Sequence, residues 1–148
     1  MFVERTLLER LARPKSRGVR TLTENTNELA KSIMRHLINM LNSRVGHAPA
    51  QMDYGITEPS EVAHAFPDAL GGMQRSIRTC IEKYEPRLTG VNVMHVESED
   101  DQFTLRFQIT AQLTTSKDRA PVCFDCHQQG QPFKVTRPYT VHSALCEY

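Results

Sequence analysis

The stretch Cys123-Phe124-Asp125-Cys126-His127 places two cysteines and a histidine within five residues. Cys-x-x-Cys-His is the pattern to which c-type haem is attached, through two thioethers and an axial histidine. That attachment normally requires export. The opening run MFVERTLLERLARPKSRGVR alternates charge with leucine and lacks the unbroken apolar stretch and small-residue cleavage site of a secretory signal. The pentapeptide also falls in a segment that reads as strand and turn, so the haem pattern stands alone, and alone it is weak. Zinc is a second reading. Cys123, Cys126, His142 and Cys146 form C-x2-C-x15-H-x3-C, with ligand types and spacing that suit a tetrahedral structural site. In a third reading, Cys123 and Cys126 are small strand or turn residues and Cys146 belongs to a frayed tail. A stoichiometric metal assay separates these readings.

A second arrangement able to do chemistry is Glu85-Pro86-Arg87. Proline fixes its own φ and holds the preceding residue extended. In an extended chain residues two apart point to the same side, so a carboxylate and a guanidinium stand together on a stiff backbone. They read either as an intramolecular ion pair closing a helix end, worth at most about 1 kcal/mol if exposed, or as a rigid two-charge docking point for a partner. Spacing does not choose between them.

The elements that must position these groups follow from periodicity. Residues 2–12 predict a short amphipathic helix with Phe2, Leu7, Leu8 and Leu11 near one face. Pro14 stops it, and RPKSRGVR reads as a basic linker. So short a helix gains little stability alone and is expected to dock on something else. From Asn25 to Arg44 runs the strongest helical pattern. Asn25 and Glu28 sit in capping-box positions, and Leu29, Ile33, Leu37 and Leu41 form a stripe widened by Met34, Ile38 and Val45, with Gly46 as the stop. Residues 47–68 form a long connection with one helical turn expected after Pro59. A helix over 69–84 buries Met73, Ile77, Cys80, Ile81 and Tyr84, and Pro86 ends it. The period then becomes two. Val91, Val93 and His95 alternate, ESEDDQ makes an acidic turn, and Phe103 to Leu113 alternate without a break. Short strands at Val122–Phe124 and Phe133–Val135 extend the sheet. The fold class is α+β, with N-terminal helices packed on one face of a mostly antiparallel sheet.

Composition narrows the function. The 148 residues carry a net charge of +1, with 39% hydrophobic and 24% charged residues. There is no strong field for nucleic acid. No run approaches the roughly 18 apolar residues that cross a bilayer, so membrane insertion is not expected. The chain is expected to stay in the cytosol, where four cysteines are unlike a disulfide framework.

Four features carry a resemblance. They are LLERL at Leu7–Leu11, MLNSRVG at Met40–Gly46, DYG at Asp53–Gly55 and EPRL at Glu85–Leu88. In this order and spacing the chain resembles the TssE family, baseplate subunits of the bacterial type VI secretion system. These are similar to wedge proteins of contractile phage tails that often carry a lysozyme-like label. PVCFDCHQQGQPFKV is similar to the family's closing strand–turn–strand, which usually has other residues where Cys123 and Cys126 stand. That likeness makes the haem pattern a coincidence and puts Val122 and Phe124 on one side of a strand, Cys123 on the other.

The resemblance covers roughly residues 5–136. It implies an N-terminal docking helix and linker at 1–20, a wedge domain at 21–136 and a tail at 137–148. It implies a structural role: joining the TssF and TssG wedge subunits, meeting TssK through the baseplate, and starting polymerisation of the TssB/TssC sheath at the cytoplasmic face of the inner membrane. No cofactor is implied. Glu85, Pro86 and Arg87 would anchor the domain, Leu7, Leu8 and Leu11 would dock on a neighbour, and the sheet edge would receive the sheath by strand addition. Tyr54, Asn42 and Arg44 either contact partners or brace their loop. The alternative is a peptidoglycan hydrolase. Glycoside hydrolysis normally needs two carboxyls, one with a raised pKa. Arg87 beside Glu85 favours the ionised form, and the acids of ESEDD lie in an exposed turn.

Overall fold

The computed structural model describes residues 6–12, 26–57, 68–97, 104–114, 119–128, 132–136 and 139–140. Among these residues the helices are α1 (Leu7–Ala12), α2 (Thr26–Leu41) and α3 (Asp68–Tyr84), and the strands are β1 (Leu88–His95), β2 (Leu105–Thr114), β3 (Arg119–Gln128), β4 (Lys134–Val135) and β5 (Tyr139–Thr140). Every strand pairing among the described residues is antiparallel. The order is β1-β2-β3-β4, with β5 also on β3. Pairs of β1, β2 and β3 follow one another along the chain, so each connection only has to turn the chain back on itself.

The two long helices cover one face. Leu29, Ile33, Leu37, Met40 and Leu41 of α2 and Met73, Ile77, Cys80 and Ile81 of α3 are buried against Leu88, Val91, Val93, Phe107, Ile109, Ala111, Leu113, Val122, Phe124 and Cys126. Burying each large aliphatic or aromatic side chain contributes about 1.5–3 kcal/mol. The expected α+β architecture is the one observed. No helix among the described residues is long and apolar enough to cross a membrane.

Several boundaries differ from those read in the sequence. The helix α2 stops at Leu41, short of Arg44. Asn42 turns its side-chain amide onto the Ile38 carbonyl at 2.8 Å, and the Ser43 hydroxyl reaches the Asn39 carbonyl at 2.7 Å. These bonds occupy acceptors of the last turn and compete with helix continuation. Val45, expected in the apolar stripe, is therefore past the helix end and exposed. Gly46, with φ +85°, turns the following loop instead of capping the helix.

The strand β1 begins at Leu88, three residues before the alternation started. A bulge lies between Thr89 and Asn92, where Gly90 adopts φ +62°. The extra residue lets Leu88 and Val91 both face the core, which hides the period of two. The strand β3 spans ten residues, not the short Val122–Phe124 segment expected. Asp125 and His127 interrupt an apolar run only on the far face, while the backbone pairs with β2 from Arg119 to Gln128. The strand β5 had no signal in the pattern. Phe2, the Pro14–Arg20 linker, the turn after Pro59, Phe103, most of ESEDDQ, His142 and Cys146 lie outside the described residues.

Candidate functional site

The junction between α3 and β1 is where the helix can no longer continue. Glu85 N–H makes the last helical bond, to the Ile81 carbonyl at 2.8 Å. Pro86 cannot donate, and by Arg87 the chain has joined the sheet, accepting Thr114 N–H at 2.9 Å. The two charged side chains lie on the same side, as expected, but they turn inward beneath α2. Arg87 grips Glu85 with a two-pronged fork, Nε to Oε1 at 2.6 Å and Nη2 to Oε2 at 2.8 Å. His36 of α2 meets Oε2 at 2.8 Å. The Glu85 side chain is 1% exposed and that of Arg87 14%. The arrangement is thus a buried intramolecular ion pair rather than two outward charges. Burial by itself would raise the Glu85 carboxyl, but hydrogen bonds from Arg87 and His36 and the guanidinium charge hold it below the ordinary glutamate value.

The network continues to α1. Arg87 Nη1 donates to Ser32 Oγ at 3.1 Å, and the fully buried Ser32 donates to Glu9 Oε2 at 2.7 Å. Arg35 Nε stands 3.3 Å from Glu9 Oε1. Glu9 also closes a capping box with Thr6: Thr6 N–H donates to Oε2 at 3.1 Å and Glu9 N–H to Thr6 Oγ1 at 3.3 Å. The Glu9 carboxyl is held low: burial opposes this, but the bonds from Ser32 and Thr6 and the charges of Arg35 and Arg87 outweigh it. So α1 is fastened by its polar side, and Leu7, Leu8 and Leu11 remain 68%, 76% and 70% exposed.

Asp53-Tyr54-Gly55 closes over the same end of α3. Tyr54 is half-buried, stacked on His36 with ring centroids 6.4 Å apart, and meets Tyr84 edge-on at 5.1 Å. The Asp53 carboxylate accepts from Lys83 and from the Tyr84 hydroxyl. Those bonds, Lys83 foremost, hold its pKa low. Tyr54 therefore braces the loop onto the end of the helix that Glu85 follows. Asn42 braces too. Its amide spans Phe133, donating to the carbonyl at 3.0 Å and accepting the N–H at 2.7 Å, in the manner of a neighbouring strand. Asn42→Ala should cost about 2 kcal/mol in urea unfolding, since buried backbone groups of Phe133 lose their partner, and should speed exchange of the Phe133 amide. Arg44 is exposed, and its backbone bridges to Ile56.

Comparison with known proteins decides the family. The family model described as baseplate wedge protein gp25 matches residues 27–118. The chain belongs to this family. Among solved structures, a chain of the baseplate complex from the type VI secretion system superposes with a TM-score of 0.53 at 18% identity, over 68% of this chain and 93% of that one. A Geobacter sulfurreducens protein described as a tail lysozyme gives a TM-score of 0.47 at 14% identity, over 76% of this chain and 99% of that one. No curated protein matches by sequence.

As a wedge-family member the chain is a structural baseplate protein, and the lysozyme alternative gains nothing from the geometry. The carboxyls of Glu85 and Glu9 share one hydrogen-bonded network and are both shifted down, whereas a hydrolase separates its acid from its base. The Cys-x-x-Cys-His pattern is also explained. Cys126 lies with Val122 and Phe124 in the core, and burial pushes its thiol up to about 12. Cys123 lies three residues away in an unbroken strand and so on the other face. Two sulfurs on opposite faces cannot grip one metal or one haem edge. Among the described residues no cluster of metal-ligating side chains forms.

Sequence reading missed Glu9, Ser32 and His36. A signal was present for all three: Ser32 and His36 are four apart on α2, polar positions flanking an apolar stripe. Thr6-x-x-Glu9 was legible as a capping box.

Proposed function

We propose that this wedge protein serves a type VI secretion baseplate, joining TssF and TssG, meeting TssK through the assembly, and seeding the TssB/TssC sheath at the cytoplasmic face of the inner membrane. The observation that carries the reading is α1. It is tied to the domain by Glu9, yet turns three leucines to solvent, as a helix does when it is to enter a neighbour's apolar groove. Residues 1–20 then act as the docking arm, 21–136 as the wedge domain and 137–148 as a tail. Glu85, Pro86 and Arg87 act in anchoring by shaping the surface beneath α1, with Tyr54, Asn42 and Arg44 setting the loop beside it. The outer edge of β1 has no strand partner among the described residues. Beyond the Gly90 bulge, Asn92–His95 is regular backbone on which an incoming sheath strand pairs.

The test is recovery of TssF and TssG on the tagged chain. Leu7→Ser/Leu8→Ser/Leu11→Ser should leave stability within about 0.5 kcal/mol, because these side chains are exposed, and reduce recovery by at least about tenfold, as loss of an apolar anchor does. Undiminished recovery would remove α1 from the interface. Failure to recover TssF and TssG with the unaltered chain would overturn the type VI assignment.

A further inference from the structure

The face of the sheet turned away from α2 and α3 carries two cations with a histidine between them. Arg106 on β2 stands directly opposite His127 on β3, which stands directly opposite Lys134 on β4. Their chain neighbours Phe107, Cys126 and Val135 are core residues, so the period of two puts all three on the outer face. At the usual strand spacing, Arg106 and Lys134 are roughly 10 Å apart with the imidazole between them. Arg106 and Lys134 are exposed and His127 is half-buried. The row continues to Val96, whose N–H meets the Arg106 carbonyl at 2.9 Å. Val96 and Met94, two residues back on the same face, are 36% and 48% exposed.

Among the described residues no carboxylate pairs with Arg106, His127 or Lys134. By contrast, Lys31, Arg35, Arg78 and Lys83 each meet one, from Glu28, Glu9, Glu82 and Asp53. Asp125 lies on the same outer face, opposite Gln108, and makes no ion pair with the row. The like charges of Arg106 and Lys134 stand on β2 and β4 with only His127 of β3 between them. Arg106 and Lys134 carry fixed charge, and His127 offers a ring N–H in either protonation state. A carboxylate laid over the row meets complementary charge and gains several donors at once.

We infer that this face docks an acidic segment of another protein subunit, with carboxylates over Arg106, His127 and Lys134 and an apolar side chain against Met94 and Val96. Nucleic acid fits less well. The chain's net charge is only +1, Asp125 adjoins the row, and a phosphate backbone has no use for exposed Met94 and Val96.

The experiment titrates the isotope-labelled full chain with a short peptide alternating glutamate and valine, its glutamine counterpart and a short DNA duplex. The glutamate peptide should shift the amides of Met94, Val96, Arg106, His127 and Lys134 together. Arg106→Glu/Lys134→Glu should weaken it about tenfold, as loss of complementary charge does, while binding a lysine–valine peptide in its place. Asp125→Asn should tighten the glutamate peptide. Shifts elsewhere, no shift, or equal binding of the glutamine peptide would overturn the inference, as would unchanged affinity in the double variant. Tighter binding of the duplex would make the face a nucleic-acid surface instead.

Discussion

Glu85→Ala should lower the free energy of unfolding by about 3–5 kcal/mol, the usual cost of removing one partner from a buried ion pair. The reason lies in what stays behind. Arg87 keeps its charge in a pocket where only 14% of its side chain is exposed, and among the described residues Ser32 is the side-chain acceptor left to it. His36 also loses its carboxylate. Arg87→Ala should cost a similar amount by stranding Glu85. The double variant should cost less than the two single losses together, because it leaves no orphan charge. Arg87→Lys keeps the charge but loses the fork, so it should restore only part of the loss. An effect below about 1 kcal/mol for Glu85→Ala, the range of exposed pairs, would refute the burial argument.

The same pair sets an acid limb. The folded-state pKa of Glu85 lies below its ordinary value of 4.5. Its stabilisation is therefore complete above that value and is lost as pH falls through the lower folded-state value. Glu85→Gln should flatten the fall in stability over that acid window, while the part due to Glu9, shifted the same way, remains. These effects also govern the functional experiment: failure of Glu85→Ala to assemble with wedge partners is informative only at a temperature where the variant is shown to be folded.

Gly55→Ala is expected to be about as damaging, by a backbone route. Gly55 has φ +107°, a conformation that residues with a Cβ rarely adopt. An added methyl would collide with the Ser43 carbonyl, lying 2.6 Å from its carbon. That carbonyl accepts Ile56 N–H at 2.9 Å, and the Ile56 carbonyl accepts Val45 N–H at 3.3 Å. Moving it therefore opens the bridge that closes the loop. Strain of about 1–3 kcal/mol plus the lost bonds puts the expected destabilisation near 3 kcal/mol or more. Tyr54 should leave its place between His36 and Tyr84. The chain has four tyrosines and no tryptophan, so tyrosine near-ultraviolet dichroism reads this directly. An unchanged spectrum with native stability would show that the loop accommodates the methyl.

Much of the fold was legible because it rests on local period. Leu29, Ile33, Leu37 and Leu41 recur at helical spacing, and Phe107, Ile109, Ala111 and Leu113 at strand spacing, and each set is buried as a unit. The stop at Pro86 and the shared side of Glu85 and Arg87 follow from backbone sterics. The length of β3 was not legible, because hydrogen bonds to β2 extend a strand past polar residues that the alternation treats as its end. The bulge at Gly90 hid Leu88 for a similar reason.

The amino-acid order by itself determined the two long helices, the alternating strands β1 and β2, and where the chain must kink, since these depend on neighbours within a few residues. Whether the charges at the kink faced solvent or the interior was decided by tertiary packing. Ser32 and His36 come from a helix some fifty residues earlier, and Glu9 from a helix earlier still. The same holds for Cys123 and Cys126, whose spacing looked like a ligand pair until a continuous strand put them on opposite faces. Burial depends on which surfaces meet, and contacts between distant segments decide that.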